Sequence, residues 1–166
     1  MKVVIIINGR GGVGKDTLCD FAAESYRVRN VSSITPIKEI ASQHGWNGEK
    51  DLKARKFLSD LKTAFTDYCD LPTKYLLEQY GLFKESDEQI MFAHIREGKQ
   101  IERFKREVTA LGAKCLSLLV LRGESVHYGN ASDDDVENYG YDLVYDNLKP
   151  LEEAKSDFTA FLKDNI

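Results

Sequence analysis

Apolar positions along the chain fall into two alternating patterns. Val3-Val4-Ile5-Ile6-Ile7 is an unbroken β-branched run, which predicts a strand buried on both faces of a parallel sheet. A glycine-rich loop, Asn8 to Gly14, follows. From Thr17 to Ala23 the period becomes helical, with Leu18, Phe21 and Ala22 on one face. Arg29 to Ile34 predicts a short strand, ended by Thr35-Pro36. Pro36 suits the first turn of a helix over Ile37 to His44. Leu52, Phe57, Leu58, Leu61, Phe65 and Tyr68 predict the apolar side of a helix over residues 51–69. Pro72 opens another helix through Tyr80, which Gly81 is expected to end. Gln89 to Ile95 predicts a strand, Gln100 to Leu111 a helix and Cys115 to Leu121 a strongly apolar strand. Residues 122–139 are polar and irregular. Tyr141 to Tyr145 predicts a last strand, and Leu151 to Leu162 a closing helix.

Strands alternating with helices from end to end predict a single α/β domain over residues 1–166. The architecture expected is a three-layer α/β/α sandwich around a mostly parallel sheet. Ligands of such sheets sit beyond the C-terminal strand ends. The loops after Ile7, Ile34, Ile95, Leu121 and Tyr145 should therefore surround one crevice.

Composition narrows the partners. With 166 residues, 42% apolar and 30% charged, the chain reads as an ordinary globular protein without repeats or low-complexity segments. A formal charge of -4 supplies no footprint for nucleic acid, which argues against that partner. A local basic pocket for a phosphorylated small molecule stays open. No apolar run reaches membrane-spanning length, and the first one runs into a glycine loop and not a cleavage site. Cys19, Cys69 and Cys115 are odd in number and far apart, so neither a disulfide framework nor a zinc site is expected. A reducing cytoplasm is the expected compartment.

The chemistry is concentrated in Gly9-Arg10-Gly11-Gly12-Val13-Gly14-Lys15-Asp16-Thr17, which fits G-x-x-x-x-G-K between a strand and a helix. Glycines let successive N–H groups converge on phosphate oxygens. The helix N-terminus adds partial positive charge. A lysine at position 15 would reach the β- and γ-phosphates of ATP. The next residue, normally a hydroxyl that holds Mg²⁺, is Asp16. A carboxylate is also a magnesium ligand, so Asp16 is assigned the metal and Thr17 a phosphate contact. The alternative is that Asp16 only caps the helix. The Asn-Lys-x-Asp guanine motif is missing, which argues against a GTPase.

The Gly-Lys-Asp-Thr loop, Pro36-x-Lys38, the charged helix after residue 51, Arg96 at a strand end and the stretch Asp133 to Asn147 occur together. This combination resembles the deoxynucleoside monophosphate kinases of bacteriophages and bacteria. It is also similar to the animal type of phosphomevalonate kinase, which shares the P-loop kinase architecture. The resemblance covers most of the chain. It implies ATP-dependent phosphorylation of a small acceptor that already bears a phosphate, a nucleoside or deoxynucleoside monophosphate first. A phosphomevalonate-type or other small-molecule kinase, or an ATP-binding protein without transferase activity, are the alternatives.

Carried over residue by residue, the resemblance implies that Lys15 stabilises the transferred group and that Lys38 faces the acceptor phosphate. It places Arg55 on the helix lining the acceptor pocket. Lys38 and Arg55 read equally as solvated charges. Arg96, at a strand end, suits bidentate phosphate recognition. His94 stands near a position where the family often has an Asp. It either contacts the acceptor or is a structural histidine. Arg122 opens the lid-like segment 122–139, in which Ser132 to Asp135 reads as a capping box. Arg122 is the only arginine of that segment, so further charge is expected from Arg10 or from a partner subunit in a homodimer. Asn147 either contacts the base or turns the chain into the last helix.

Overall fold

The structure is a computed structural model in which residues 2–123 and 136–166 are described. The strands are β1 (Val3–Asn8), β2 (Val28–Ser32), β3 (Ile90–His94), β4 (Lys114–Leu121) and β5 (Leu143–Asp146). The α-helices among the described residues are α1 (Lys15–Ala23), α2 (Thr35–Gln43), α3 (Leu52–Cys69), α4 (Leu71–Glu85), α5 (Gly98–Ala110) and α6 (Leu151–Asn165). The strands form one sheet in the order β2-β3-β1-β4-β5, with every neighbouring pair parallel. The expected α/β/α sandwich is therefore present.

β1 is the centre of the sheet, and all six of its residues are buried. Its alternation sends Val3, Ile5 and Ile7 to one face and Val4 and Ile6 to the other. The first face packs on Leu18, Cys19 and Ala22 of α1 and on Phe158 and Leu162 of α6. The second packs on Leu76, Tyr80 and Phe83 of α4 and on Ile101, Phe104 and Val108 of α5. Each fully buried Ile contributes about 1.5–3 kcal/mol, so β1 anchors both cores at once. A third, smaller cluster joins Ile37 and Ala41 of α2 to Leu58 of α3.

Two expectations are corrected. Gly81 does not end its helix, because α4 continues to Glu85 with Phe83 buried against the sheet. Burial of that last turn outweighs the roughly 1 kcal/mol disadvantage of a glycine inside a helix. The apolar side of α3 is narrower than its sequence pattern. Leu52, Phe57 and Tyr68 are exposed, while Ala54, Leu58 and Lys62 are buried. Asp51 caps α3 by accepting from the Ala54 amide at 2.7 Å. The capping box at Ser132 to Asp135 lies outside the described residues, as does most of the lid-like segment.

Cys19, Cys69 and Cys115 are free thiols. No helix among the described residues is long and apolar enough to cross a membrane.

Candidate functional site

The chain leaves β1 for β2 on one side and reaches β4 on the other, so its connections diverge at the C-terminal end of the central strand. Such a divergence opens a crevice. Asn8 ends β1 there. Its Oδ1 accepts from the Gly9 amide at 2.8 Å, and its Nδ2 donates to the Arg96 carbonyl at 2.9 Å and to the Tyr141 hydroxyl oxygen at 2.7 Å. One buried amide thereby ties the start of the loop to the end of β3 and to the approach to β5.

The loop has the geometry that its glycines allow. Gly9 has φ +151°, and a Cβ there would lie 2.5 Å from the Val120 carbonyl oxygen of β4. Gly14, at φ +94°, is the left-handed N-cap of α1, and a Cβ there would meet Asn147 Nδ2 at 2.7 Å. Only glycine fits either position without moving the neighbour. Val13 points inward and is buried in the core. A Cβ at Gly11 or Gly12 would meet nothing within 4 Å, so this stretch faces open space. Lys15 folds over the loop and donates from Nζ to the Gly9 and Arg10 carbonyls at 2.6 and 2.9 Å. The ammonium is thus held above the loop's open side.

Asp16 lies in the first turn of α1, whose N-cap is Gly14. The Asp16 side chain is 91% exposed, with Oδ1 3.9 Å from His94 Nε2. Its oxygens are thus open to a cation, and its place in the first turn suits the helix N-terminus as well. No group of three or more His, Cys, Asp and Glu converges among the described residues. A magnesium ion would therefore share phosphate oxygens, Asp16 and water, the habit of that ion in phosphotransfer sites. The donor set fits it on those terms. Thr17 is half-buried beside Asp16.

His94 ends β3 on the α1 face. Its Nε2 sits 2.8 Å from Asn30 Oδ1 and 3.7 Å from the Cys19 sulfur. The Asn30 contact is satisfied by a neutral ring carrying its proton on Nε2. Burial pulls its pKa down to about 4, with Lys15 adding to the shift and Asp16 opposing it. His94 is therefore neutral near pH 7. Cys19 is buried, and its thiol is pushed far up, chiefly by that burial.

The remaining predicted residues fall in different places. Arg96 is exposed just after β3, and Lys38 is exposed near the start of α2, the helix that follows β2. Arg122 is exposed after β4. Arg55 turns back on its own helix start, donating from Nε to the Lys50 carbonyl at 2.8 Å. Arg10 is buried and pairs with Glu137 at 3.1 Å, so its charge is offset by a residue near the end of the lid-like segment. Asn147 is buried, and its Nδ2 donates to the Val13 carbonyl at 2.9 Å, while its own amide donates to Leu121. It pins the loop from the β5 side.

Sequence reasoning missed several participants. Asn8 was legible only as the loop's first residue. Tyr141, whose hydroxyl donates to the Val136 carbonyl at 2.7 Å, was read as strand. Burial pushes its phenol up to about 12, so it stays protonated as a donor. Lys62, Glu97 and Ser33 meet beyond β2 and β3, with Lys62 Nζ 2.8 and 2.9 Å from the Glu97 oxygens and 3.3 Å from Ser33 Oγ. Position 97 follows Arg96 at a strand end and could have been noticed. Lys62 is one of many helix charges and carried no signal.

No family model and no curated protein matches the sequence. Solved structures do match the fold. The tunicamycin resistance protein of Deinococcus radiodurans aligns with a TM-score of 0.61 at 11% identity, over 98% of this chain and 96% of that one. The Mycobacterium tuberculosis APS kinase CysC, in complex with AMPPNP and APS, aligns at 0.58 and 8% identity, over 98% of each chain. A protein of Chloroflexus aurantiacus aligns at 0.64 and 13% identity, over 99% of this chain and 98% of that one. At these identities the likeness is one of fold. The chain shares their α/β/α fold, with the glycine loop and Lys15 following the central strand of a five-stranded parallel sheet.

Proposed function

We propose that the protein is an ATP-dependent kinase acting on a small phosphorylated acceptor, a nucleoside or deoxynucleoside monophosphate first among them. The observation that carries this reading is Lys15, clamped over an open glycine loop at the N-terminus of α1. The loop amides and the helix end would hold the phosphates of ATP. Lys15 would exchange its two carbonyl partners for β- and γ-phosphate oxygens and offset charge as the γ-phosphoryl group leaves. Asp16 would hold the magnesium, which would supply further charge neutralisation, and Thr17 would contact a phosphate. Lys38 in α2 and Arg96 after β3, two exposed cations, would suit an acceptor phosphate on the β2–β3 side. A neighbour of this fold that binds both AMPPNP and APS is consistent with two ligands across one crevice. ATP use and three free thiols fit a reducing cytoplasm.

The test is ADP release from Mg·ATP over a panel of ribo- and deoxyribonucleoside monophosphates, with phosphomevalonate as a further acceptor. Acceptor-dependent ADP release is the expected result. ATP binding with no stimulation by any acceptor would sink the kinase reading and leave a nucleotide-binding protein.

A further inference from the structure

Beyond the loop, one side-chain cluster at the crevice is unusually built. Lys62 of α3 is only 8% exposed. Its ammonium has three protons, and they meet both oxygens of Glu97 and the hydroxyl of Ser33, itself buried. Ser33 follows β2 and Glu97 follows β3, so the cluster sits beyond two adjacent strand ends, where open sheets bind ligands. Arg96, next to Glu97, is tied through its carbonyl to Asn8 at the loop.

Two further contacts continue the join of α3 to α5. Gln100 Nε2 donates to Thr66 Oγ1 at 3.3 Å, and Arg103 pairs with Asp70 at 2.6 Å. Those rungs hold the helices together. The Lys62 rung differs because a buried lysine must be stripped of water. Replacing a buried ion pair by apolar side chains is often neutral or stabilising. Stability alone therefore does not account for an ammonium here. Its effect is to hold a carboxylate in one orientation. The Glu97 side chain is 44% exposed, so it is open to solvent beyond its lysine. A carboxylate has about four acceptor sites and Lys62 occupies two. The free sites can only accept hydrogen bonds.

We infer that Glu97, oriented by Lys62 and Ser33, is a specificity residue of the acceptor site and binds a sugar hydroxyl of the acceptor. The inference rests on the acceptor reading above and names the part of the acceptor that is not phosphate. Lys38 and Arg96 attract the anionic end, while Glu97 repels phosphate and accepts from a hydroxyl. This division orients the acceptor along the β2–β3 edge. Lys62 is a positioning residue, since it reaches the acceptor only through Glu97.

The experiment uses calorimetry on the full chain with magnesium and AMPPNP. The probes are matched ribo-, deoxyribo- and dideoxyribonucleoside monophosphates. Wild type is expected to bind hydroxyl-bearing probes at least tenfold more tightly than their dideoxy counterparts. Glu97→Gln should remove most of that preference while leaving AMPPNP affinity and dideoxy affinity unchanged. Because Glu97→Gln leaves Lys62 buried without its counter-charge, a Lys62→Met/Glu97→Gln double variant is measured beside it, with thermal melting as the check on folding. The double variant should lose the same preference. Equal binding of hydroxyl and dideoxy probes by wild type, unchanged preference in both variants, or no binding of any probe overturns the inference. Failure of the kinase reading is separate: probes would bind with Glu97-dependent preference, yet no ADP would be released.

Discussion

Lys15 and Gly14 show how tightly single residues are constrained at the loop. Removing the Lys15 ammonium by Lys15→Met should lower kcat by about 10²-fold or more, as loss of one preorganised charge contact does, with folding unaltered by circular dichroism. Gly14→Ala places a Cβ 2.7 Å from Asn147 Nδ2 at a positive φ. A cost of about 1–3 kcal/mol is expected, read as a lower urea midpoint. His94 gives a pH prediction. Its folded pKa, about 4, lies below the ordinary 6.5 of an unfolded chain, and burial is the main cause. As pH falls below 6.5 the unfolded chain takes up a proton that the folded protein refuses. Stability supported by neutral His94 is therefore complete above pH 6.5 and is lost as pH falls towards 4. The loss is about 3 kcal/mol at most. Urea unfolding at pH 7 and pH 4.5 should show a smaller drop for His94→Gln than for wild type. An equal drop would remove His94 from the account. Asp16→Asn should raise the magnesium concentration needed for half-maximal ADP release, and an unchanged requirement would refute its metal role.

At the scale of elements, helix ends and faces decide what the pattern alone could not. α4 runs past Gly81 because Phe83, two residues on, is buried against Val4, Ile6 and Met91. Gly81 has open space where a Cβ would sit. Gly81→Ala should therefore stabilise the protein by about 0.5–1 kcal/mol, by restricting the unfolded chain, and raise Tm by a few degrees. A fall in Tm would mean that the helix needs glycine there for a reason outside its local geometry. α3 is a second case. Its apolar spacings predict a helix, and α3 touches the rest of the protein through α2 and α4 and through the polar rungs to α5. Leu52, Phe57 and Tyr68 consequently stay exposed, and one of the buried positions between them is a lysine. Helical period identifies a helix, whereas the width of its buried face depends on what packs beside it.

For the whole molecule, the sheet order brings the ends of β1, β3 and β4 together and draws distant residues onto one loop. Asn8, Arg96, Tyr141 and Asn147 span most of the chain and are joined through two side-chain amides. Binding that closes on this constellation should stabilise the entire fold, since only the folded chain presents it. Mg·ATP at about 100 times its Kd should add about 2.7 kcal/mol, seen as a rise in Tm that grows with ligand concentration. A Tm independent of Mg·ATP would contradict nucleotide binding at the loop. Asn147→Ala should weaken that ligand-induced shift and also cost about 1–3 kcal/mol by leaving the buried Val13 carbonyl unpaired.

The sequence by itself determined the class of the fold and the identity of the loop. A five-residue β-branched run can only be buried on both faces, and glycines at positions 9, 12 and 14 permit positive φ that other residues resist. These are properties of adjacent residues, so they are visible in one dimension. Tertiary structure decided which charges work together. Lys62 meets Glu97 across thirty-five positions, Arg10 is neutralised by Glu137, and Asn147 turns inward to the loop. No local pattern encodes those meetings, because they depend on how helices dock on a sheet and on which polar groups are then left to satisfy one another.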